Sequence, residues 1–214
     1  MKRTLIIVAL IAALVAPIWA QGTTSDGFQW GKTSDGKGVN IVRYTGAATA
    51  VRIPDKIENL PVVTIGSQAF SQTYKGVNQN ITSVVIPNTV THIRDRAFYC
   101  QNKLTSITFP AETLVEIGFQ AFIGCEALTS INLPYPMQII GDQAFSQCST
   151  LTTITLPPYA KIGDEAFSYC YALTTVTISM ANRVTWGEDV FKGSTKVNEA
   201  SRTALQRAYY KGPF

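Results

Sequence analysis

From residue 81 to residue 178 apolar and polar positions recur on one plan. Leu104-Thr-Ser-Ile-Thr-Phe-Pro110 aligns with Leu128-Thr-Ser-Ile-Asn-Leu-Pro134, Leu151-Thr-Thr-Ile-Thr-Leu-Pro157 and Leu173-Thr-Thr-Val-Thr-Ile-Ser179. Ile81-Thr-Ser-Val-Val-Ile-Pro87 belongs with them, and Val51-Arg-Ile-Pro54 is a weaker copy. Apolar residues fall at relative positions 1, 4 and 6, and the last two alternate as in a half-buried strand. β-branched Thr, Ile and Val favour the extended backbone. Proline then ends the strand, because it has no ladder N–H to donate.

A second motif follows each strand: Ile65-Gly-Ser-Gln-Ala-Phe70, Ile93-Arg-Asp-Arg-Ala-Phe98, Ile117-Gly-Phe-Gln-Ala-Phe122, Ile140-Gly-Asp-Gln-Ala-Phe145 and Ile162-Gly-Asp-Glu-Ala-Phe167. Trp186-Gly-Glu-Asp-Val-Phe191 is a degenerate last copy. Here the expectation is a glycine at an unusual backbone angle and a short helical turn capped by Asp95, Asp142, Asp164 or Ser67, with Ala and Phe facing inward. One unit cannot bury its own apolar edge. Stacked at ~4.8 Å, six units build a continuous core roughly 30 Å long.

The repeat L-T-x-I-x-L-P…I-G-x-x-A-F-x-x-C resembles the BspA-type leucine-rich repeat over about residues 38–194. Val51 to Gly66 is similar to the family's opening repeat. Proline ends the strand where ordinary leucine-rich repeats carry Asn. The resemblance implies an α/β-type repeat solenoid. Short parallel strands lie on one face and helical turns or irregular structure on the other, with a β-hairpin at the N-terminal end and a short C-terminal helix. It also implies a non-enzymatic protein-binding scaffold at the surface or secreted, adhesin-like towards host matrix proteins or other cells. A periplasmic structural or assembly role stays open, and the repeat itself defines no ligand.

The expected organisation is a signal peptide over 1–20, a hairpin cap over 21–46, repeats over 47–194 and a C-terminal helix and tail over 195–214. Lys2 and Arg3 precede an apolar run from Leu5 to Ala16, too short for a spanning helix. Small Ala20 then offers a cleavage point. Removing that segment lowers the net charge from +4 to +2. The mature chain then carries neither a transmembrane span nor a basic stripe for nucleic acid. Thr-Ser-Asp-Gly occurs at 24–27 and 33–36, and Asp35-Gly36 reads as a hairpin turn. A calcium loop there lacks the ligand count. Asn198 caps a helix that Gly212-Pro213 stops, with Arg202, Arg207 and Lys211 in solvent.

Candidate chemistry is sparse. Cys100, Cys125, Cys148 and Cys170 read as one inward column of free thiols acting as apolar filler. His92 is the single histidine, and its repeat equivalents are Glu116, Ile139 and Lys161. That argues for a surface position and against a metal site or a histidine base. Asp164-Glu165 is the nearest carboxylate pair, yet no acid lies on the repeat strands. No enzyme activity, cofactor or metal is expected. Alternation leaves Ser83 and Val85, Ser106 and Thr108, Ser130 and Asn132, Thr153 and Thr155, and Thr175 and Thr177 outward as two columns. This uncharged, hydroxyl-rich sheet is the candidate binding face for a protein, with a glycan possible. It also accounts for the composition, 25 Thr and only 15% charged residues.

Overall fold

The computed structural model describes residues 22–73, 75–178 and 183–214. The expected signal peptide and its cleavage after Ala20 lie outside the described residues. The chain opens with β1 (Gly22–Thr23), β2 (Phe28–Lys32), β3 (Val39–Tyr44), β4 (Ala50–Arg52), β5 (Lys56–Ile57) and β6 (Leu60–Ile65). Five strand pairs follow, one per coil: β7 (Ser83–Val85) and β8 (His92–Ile93), β9 (Ser106–Thr108) and β10 (Glu116–Ile117), β11 (Ser130–Asn132) and β12 (Ile139–Ile140). The last two are β13 (Thr153–Leu156) with β14 (Lys161–Ile162), and β15 (Thr175–Ile178) with β16 (Thr185–Trp186). A single described helix, α1 (Glu199–Arg207), closes the stack.

This is a parallel-strand solenoid of about six turns. Its longest sheet runs β1-β2-β3-β6-β8-β10-β12-β14-β16, so the residues just before each motif glycine form strands as well. His92, Glu116, Ile139, Lys161 and Thr185 stand in one register column of that sheet. The strands of the Leu-Thr-x-Ile copies and of Val51-Arg-Ile-Pro54 form two separate sheets, β4-β7-β9 and β11-β13-β15. Between β9 and β11 the ladder is interrupted, so the two outward columns do not run unbroken.

The core is a spine of stacked rings. Phe70, Phe98, Phe122, Phe145 and Phe167 are fully buried. Successive centroids lie 4.7, 4.9, 5.0 and 5.3 Å apart, with interplanar angles of 12° or less. The strand repeat of ~4.8 Å sets that spacing. Phe28 and Tyr44 start the stack, and Phe191 and Phe214 end it. Apolar residues of the strands and of the motif pack around the rings.

The motif turn differs from the expected helical cap. Asp95 Oδ1 accepts the backbone N–H of Phe119, Asp142 that of Asp164, and Asp164 that of Glu188. Each carboxylate therefore ties its own coil to the next one instead of capping its own turn. Nor does the glycine carry the unusual angle. The positive φ falls two residues later, on Gln68, Arg96, Gln120, Gln143, Glu165 and Asp189. A Cβ on Gly141 would stand 2.6 Å from the backbone carbon of Gly118, so glycine is there for close approach between coils.

The two ends are closed differently. β2 and β3 form an antiparallel hairpin, and β3 pairs in parallel with β6. The hairpin extends only the long sheet, leaving β4 as the terminal strand of its own sheet. Both Thr-Ser-Asp-Gly copies make the same turn, with Thr24 donating to Asp26 and Thr33 to Asp35. Thr33 and the Lys37 N–H together hold the Asp35 carboxyl below its ordinary range. At the far end the Asn198 N–H donates to Thr174 O at 2.8 Å, and Ser201 Oγ accepts the Val176 N–H at 3.0 Å. Helix α1 thus covers the β15 edge, where bare strands invite association. Arg202 is not simply in solvent. Its guanidinium donates to Val197 O and Thr195 O and lies 4.3 Å from the Phe214 ring centroid.

Candidate binding face

The ten candidate residues stand in two columns. Ser83, Ser106 and then Ser130, Thr153, Thr175 form one; Val85, Thr108 and then Asn132, Thr155, Thr177 form the other. The β9–β11 seam divides each column. Ser106, Thr108, Ser130, Asn132, Thr153 and Thr177 are exposed, and Ser83, Val85, Thr155 and Thr175 are half-buried. Register extends the columns by one coil, to Ala50 opposite Ser83 and Arg52 opposite Val85. The weak copy Val51-Arg-Ile-Pro54 was the signal for these two. Arg52 gives the otherwise uncharged face one cation at its N-terminal end.

Threonine has two different jobs on this face. At relative position 2 the hydroxyl, Thr129 excepted, is spent inside the fold. Thr82 donates to Thr49 O, Thr105 to Thr82 O, Thr152 to Thr129 O and Thr174 to Thr152 O, at 2.9–3.2 Å. At positions 3 and 5 it is not. The hydroxyls of Ser83, Ser106, Thr108, Ser130, Thr153, Thr155 and Thr177 have no partner in the described chain, while Thr175 makes only marginal contacts at 3.5 Å. The free hydroxyls therefore lie where a ligand could meet them.

The other candidate groups are absorbed by structure. Cys125, Cys148 and Cys170 are fully buried free thiols. Each Sγ donates to the carbonyl of a phenylalanine one coil back, Phe98, Phe122 and Phe145, at 3.3–3.4 Å. Gln101 and Ser194 hold the same place and make the same bond, to Phe70 O at 2.6 Å and Phe167 O at 2.9 Å. The column therefore selects a donor instead of apolar filler. Cys100 is not in it. It sits one residue earlier, half-buried at φ 55°, level with Gln147 and Tyr169. Burial pushes the Cys125 and Cys148 thiols well up, and that of Cys170 to about 12.

His92 is half-buried, not fully at the surface. Its Nδ1 pairs with Thr91 Oγ1 at 2.7 Å, and Nε2 lies 3.7 Å from Glu116. Burial and the nearby Arg94 lower its pKa against the pull of Glu116. Asp164 and Glu165 line a shallow acidic cavity of about 310 Å³ with Asp142, Glu188 and Asp189, but both carboxylates are held in structural bonds. Asp164 accepts the Glu188 N–H, and Glu165 accepts from Gln143 at 2.7 Å. That bond ends a side-chain ladder running from Arg96 through Gln120 to Gln143, at 2.8 and 2.6 Å. Among the described residues no cluster of His, Cys, Asp or Glu could hold a metal ion, and no helix is long and apolar enough to cross a membrane.

The BspA type leucine-rich repeat region matches residues 63–198 in six copies. Among solved structures, the leucine-rich repeat protein TpLRR of T. pallidum is 27% identical, covering 91% of this chain and 99% of its own, with a TM-score of 0.71. A leucine-rich cell surface protein from Faecalibacterium prausnitzii is 28% identical over 82% of this chain, with a TM-score of 0.64. The chain spans about half, 52%, of that protein. The pneumococcal vaccine antigen PcpA shares the fold at 21% identity, covering 86% of this chain and 51% of its own, with a TM-score of 0.61. No curated protein sequence matches.

Proposed function

The chain belongs to the BspA type leucine-rich repeat family, and from that premise we propose that it is an exported, non-enzymatic protein-binding scaffold working at the cell surface as an adhesin. The array of hydroxyls without intramolecular partners at positions 3 and 5 carries this reading. A rigid solenoid presents those groups at a fixed spacing, so their entropy is spent in folding and not in binding. The cell-surface name of the Faecalibacterium protein and the charged, short apolar start of this chain support export. The partner is a host matrix or cell-surface protein. With Arg52 the only charge on the columns, binding is only weakly salt-dependent.

A binding screen of the purified protein against matrix and plasma proteins tests this. Micromolar binding that Thr155→Arg or Thr177→Arg abolishes is the expected result. No binding at that level overturns the adhesin reading. Protease treatment of intact cells tests location: complete protection would instead favour a structural role in the periplasm.

A further inference from the structure

We propose that the corner between Tyr135 and Tyr159 is a binding site for a neutral saccharide of one or two rings. The site goes beyond the protein-binding reading and does not depend on it. It begins at the irregular coil. Ile117 lies seven positions after Pro110, against six for Ile93 after Pro87 and five for Ile162 after Pro157. In that coil Ile107 and Phe109 stay half-buried, while the equivalent Ile131, Leu133, Ile154 and Leu156 are buried. The ladder fails to cross from β9 to β11, and a cavity of about 350 Å³ opens beside the seam.

The lining suits a ligand with an apolar face and a rim of hydroxyls. Phe109, Leu133 and Leu156 supply apolar surface, Asn132 and Thr155 neutral polar groups, and Tyr135 an aromatic wall. No lining residue is charged. Tyr135 is 66% exposed and Tyr159 is 50% exposed. Their ring centroids lie 6.2 Å apart at 85°, so one ring stands perpendicular to the other. Prolines flank Tyr135 on both sides and Pro158 precedes Tyr159. They restrict the backbone at both positions and pre-organise the rings before any ligand arrives.

The Asn132 amide, the Thr155 hydroxyl and the hydroxyls of Tyr135 in the lining and Tyr159 beside it have no hydrogen-bond partner in the described chain, unlike Thr152 close by. A pyranose offers C–H groups to a ring face and hydroxyls to just such neutral donors and acceptors. A charged ligand would lose hydration with nothing here to replace it. A proline-rich peptide would use the rings but bring only carbonyl acceptors to the polar groups. The volume lies near the low end for small-ligand sites, which run from about 300 Å³.

The test is a printed array of neutral and sialylated oligosaccharides, followed by saturation-transfer NMR on the strongest neutral binder. A polyproline peptide is titrated alongside. Transfer to a neutral sugar is expected, with Tyr135→Ala and Asn132→Ala each weakening binding about tenfold or more, and Tyr135→Phe, which keeps the ring and loses only the hydroxyl, weakening it less than Tyr135→Ala. Tyr135 is exposed, so thermal melts of its variants should match the parent and separate lost binding from lost fold. No neutral sugar bound, binding indifferent to Tyr135→Ala, or tighter capture of polyproline by the same tyrosines would each overturn the proposal. A blank array leaves the protein screen of the strand face to be judged on its own.

Discussion

Asp142 Oδ1 stands 2.3 Å from the point that a Cβ on Gly163 would occupy, and it accepts the Asp164 N–H at 3.0 Å. The aspartate of one coil and the glycine of the next are thus one device. Asp95 with Gly118 and Asp164 with Gly187 repeat it, with 2.5 Å to the absent Cβ in both. Arg94, the one non-glycine at this place among the motif copies, stands a coil beyond Ser67, while Gly141, a coil beyond Phe119, has only backbone against its absent Cβ.

Gly163→Ala should therefore destabilise the protein by about 1–3 kcal/mol, the usual cost of overpacking. Asp142→Ala should cost about 1 kcal/mol through the lost bond to Asp164. The two should not add, because removing the carboxylate relieves part of the clash. Denaturant melts of the two single variants and the double measure the coupling. An additive double variant would refute a shared device.

The ring spine makes a second prediction. Phe145 is fully buried between Phe122 at 5.0 Å and Phe167 at 5.3 Å. Phe145→Ala empties the middle of the stack and should cost about 3–5 kcal/mol. Phe214 is only partly buried at the end of the stack, so Phe214→Ala should cost clearly less. Equal losses in urea melts would mean that the spine does not carry stability in proportion to burial.

Much of this was legible in the sequence, and the exceptions share a cause. Period-two alternation marked Ile131 and Ile154 as inward and Thr153 and Thr155 as outward, since side-chain direction follows from local backbone geometry. The stacking of Ala144 and Phe145 was legible from the repeat itself. What local pattern does not encode is contact between coils. Asp142 read as a cap because its reach to the Asp164 N–H crosses 22 residues. Cys100 read as a column member because a one-residue offset between Phe+2 and Phe+3 looks minor in an alignment, yet it turns the side chain out of the core. The β9–β11 seam coincides with a coil that carries an extra residue after Pro110, and pairing between coils is not written in the local pattern. Tyr135 and Tyr159 carry no repeat signal at all, so only the fold brings them together.

The amide ladder predicts a pH-dependent variant. Gln143 Nε2 donates to Glu165 Oε2 at 2.7 Å. Gln143→Glu replaces that donor with a second carboxylate and sets two acids side by side. One of them should then take up its proton more readily in the folded state than in the unfolded state. A folded pKa above the unfolded value stabilises at low pH, and the benefit is lost as pH rises through the folded pKa. The variant should match the parent near pH 4 and fall below it by pH 7. Melting temperatures across that range check this; a deficit that does not depend on pH would point to packing instead.

The thiols distinguish a donor column from a filler column. Burial raises the pKa of all four thiols, but Cys100 is only half-buried and within reach of a reagent, while Cys125, Cys148 and Cys170 are enclosed. Only thiolate reacts with a disulfide reagent, so native protein at pH 8 should release one equivalent quickly and the other three only on unfolding. The substitution series goes further. If Cys148 were apolar filler, Cys148→Ala would be milder than Cys148→Ser, because serine buries a hydroxyl. The bond from Cys148 Sγ to Phe122 O, and the same bond made by Ser194 to Phe167 O, require the opposite order. Serine should be the milder change, by about 1 kcal/mol, the net worth of one buried hydrogen bond. Alanine proving milder in denaturant melts would return the column to simple packing.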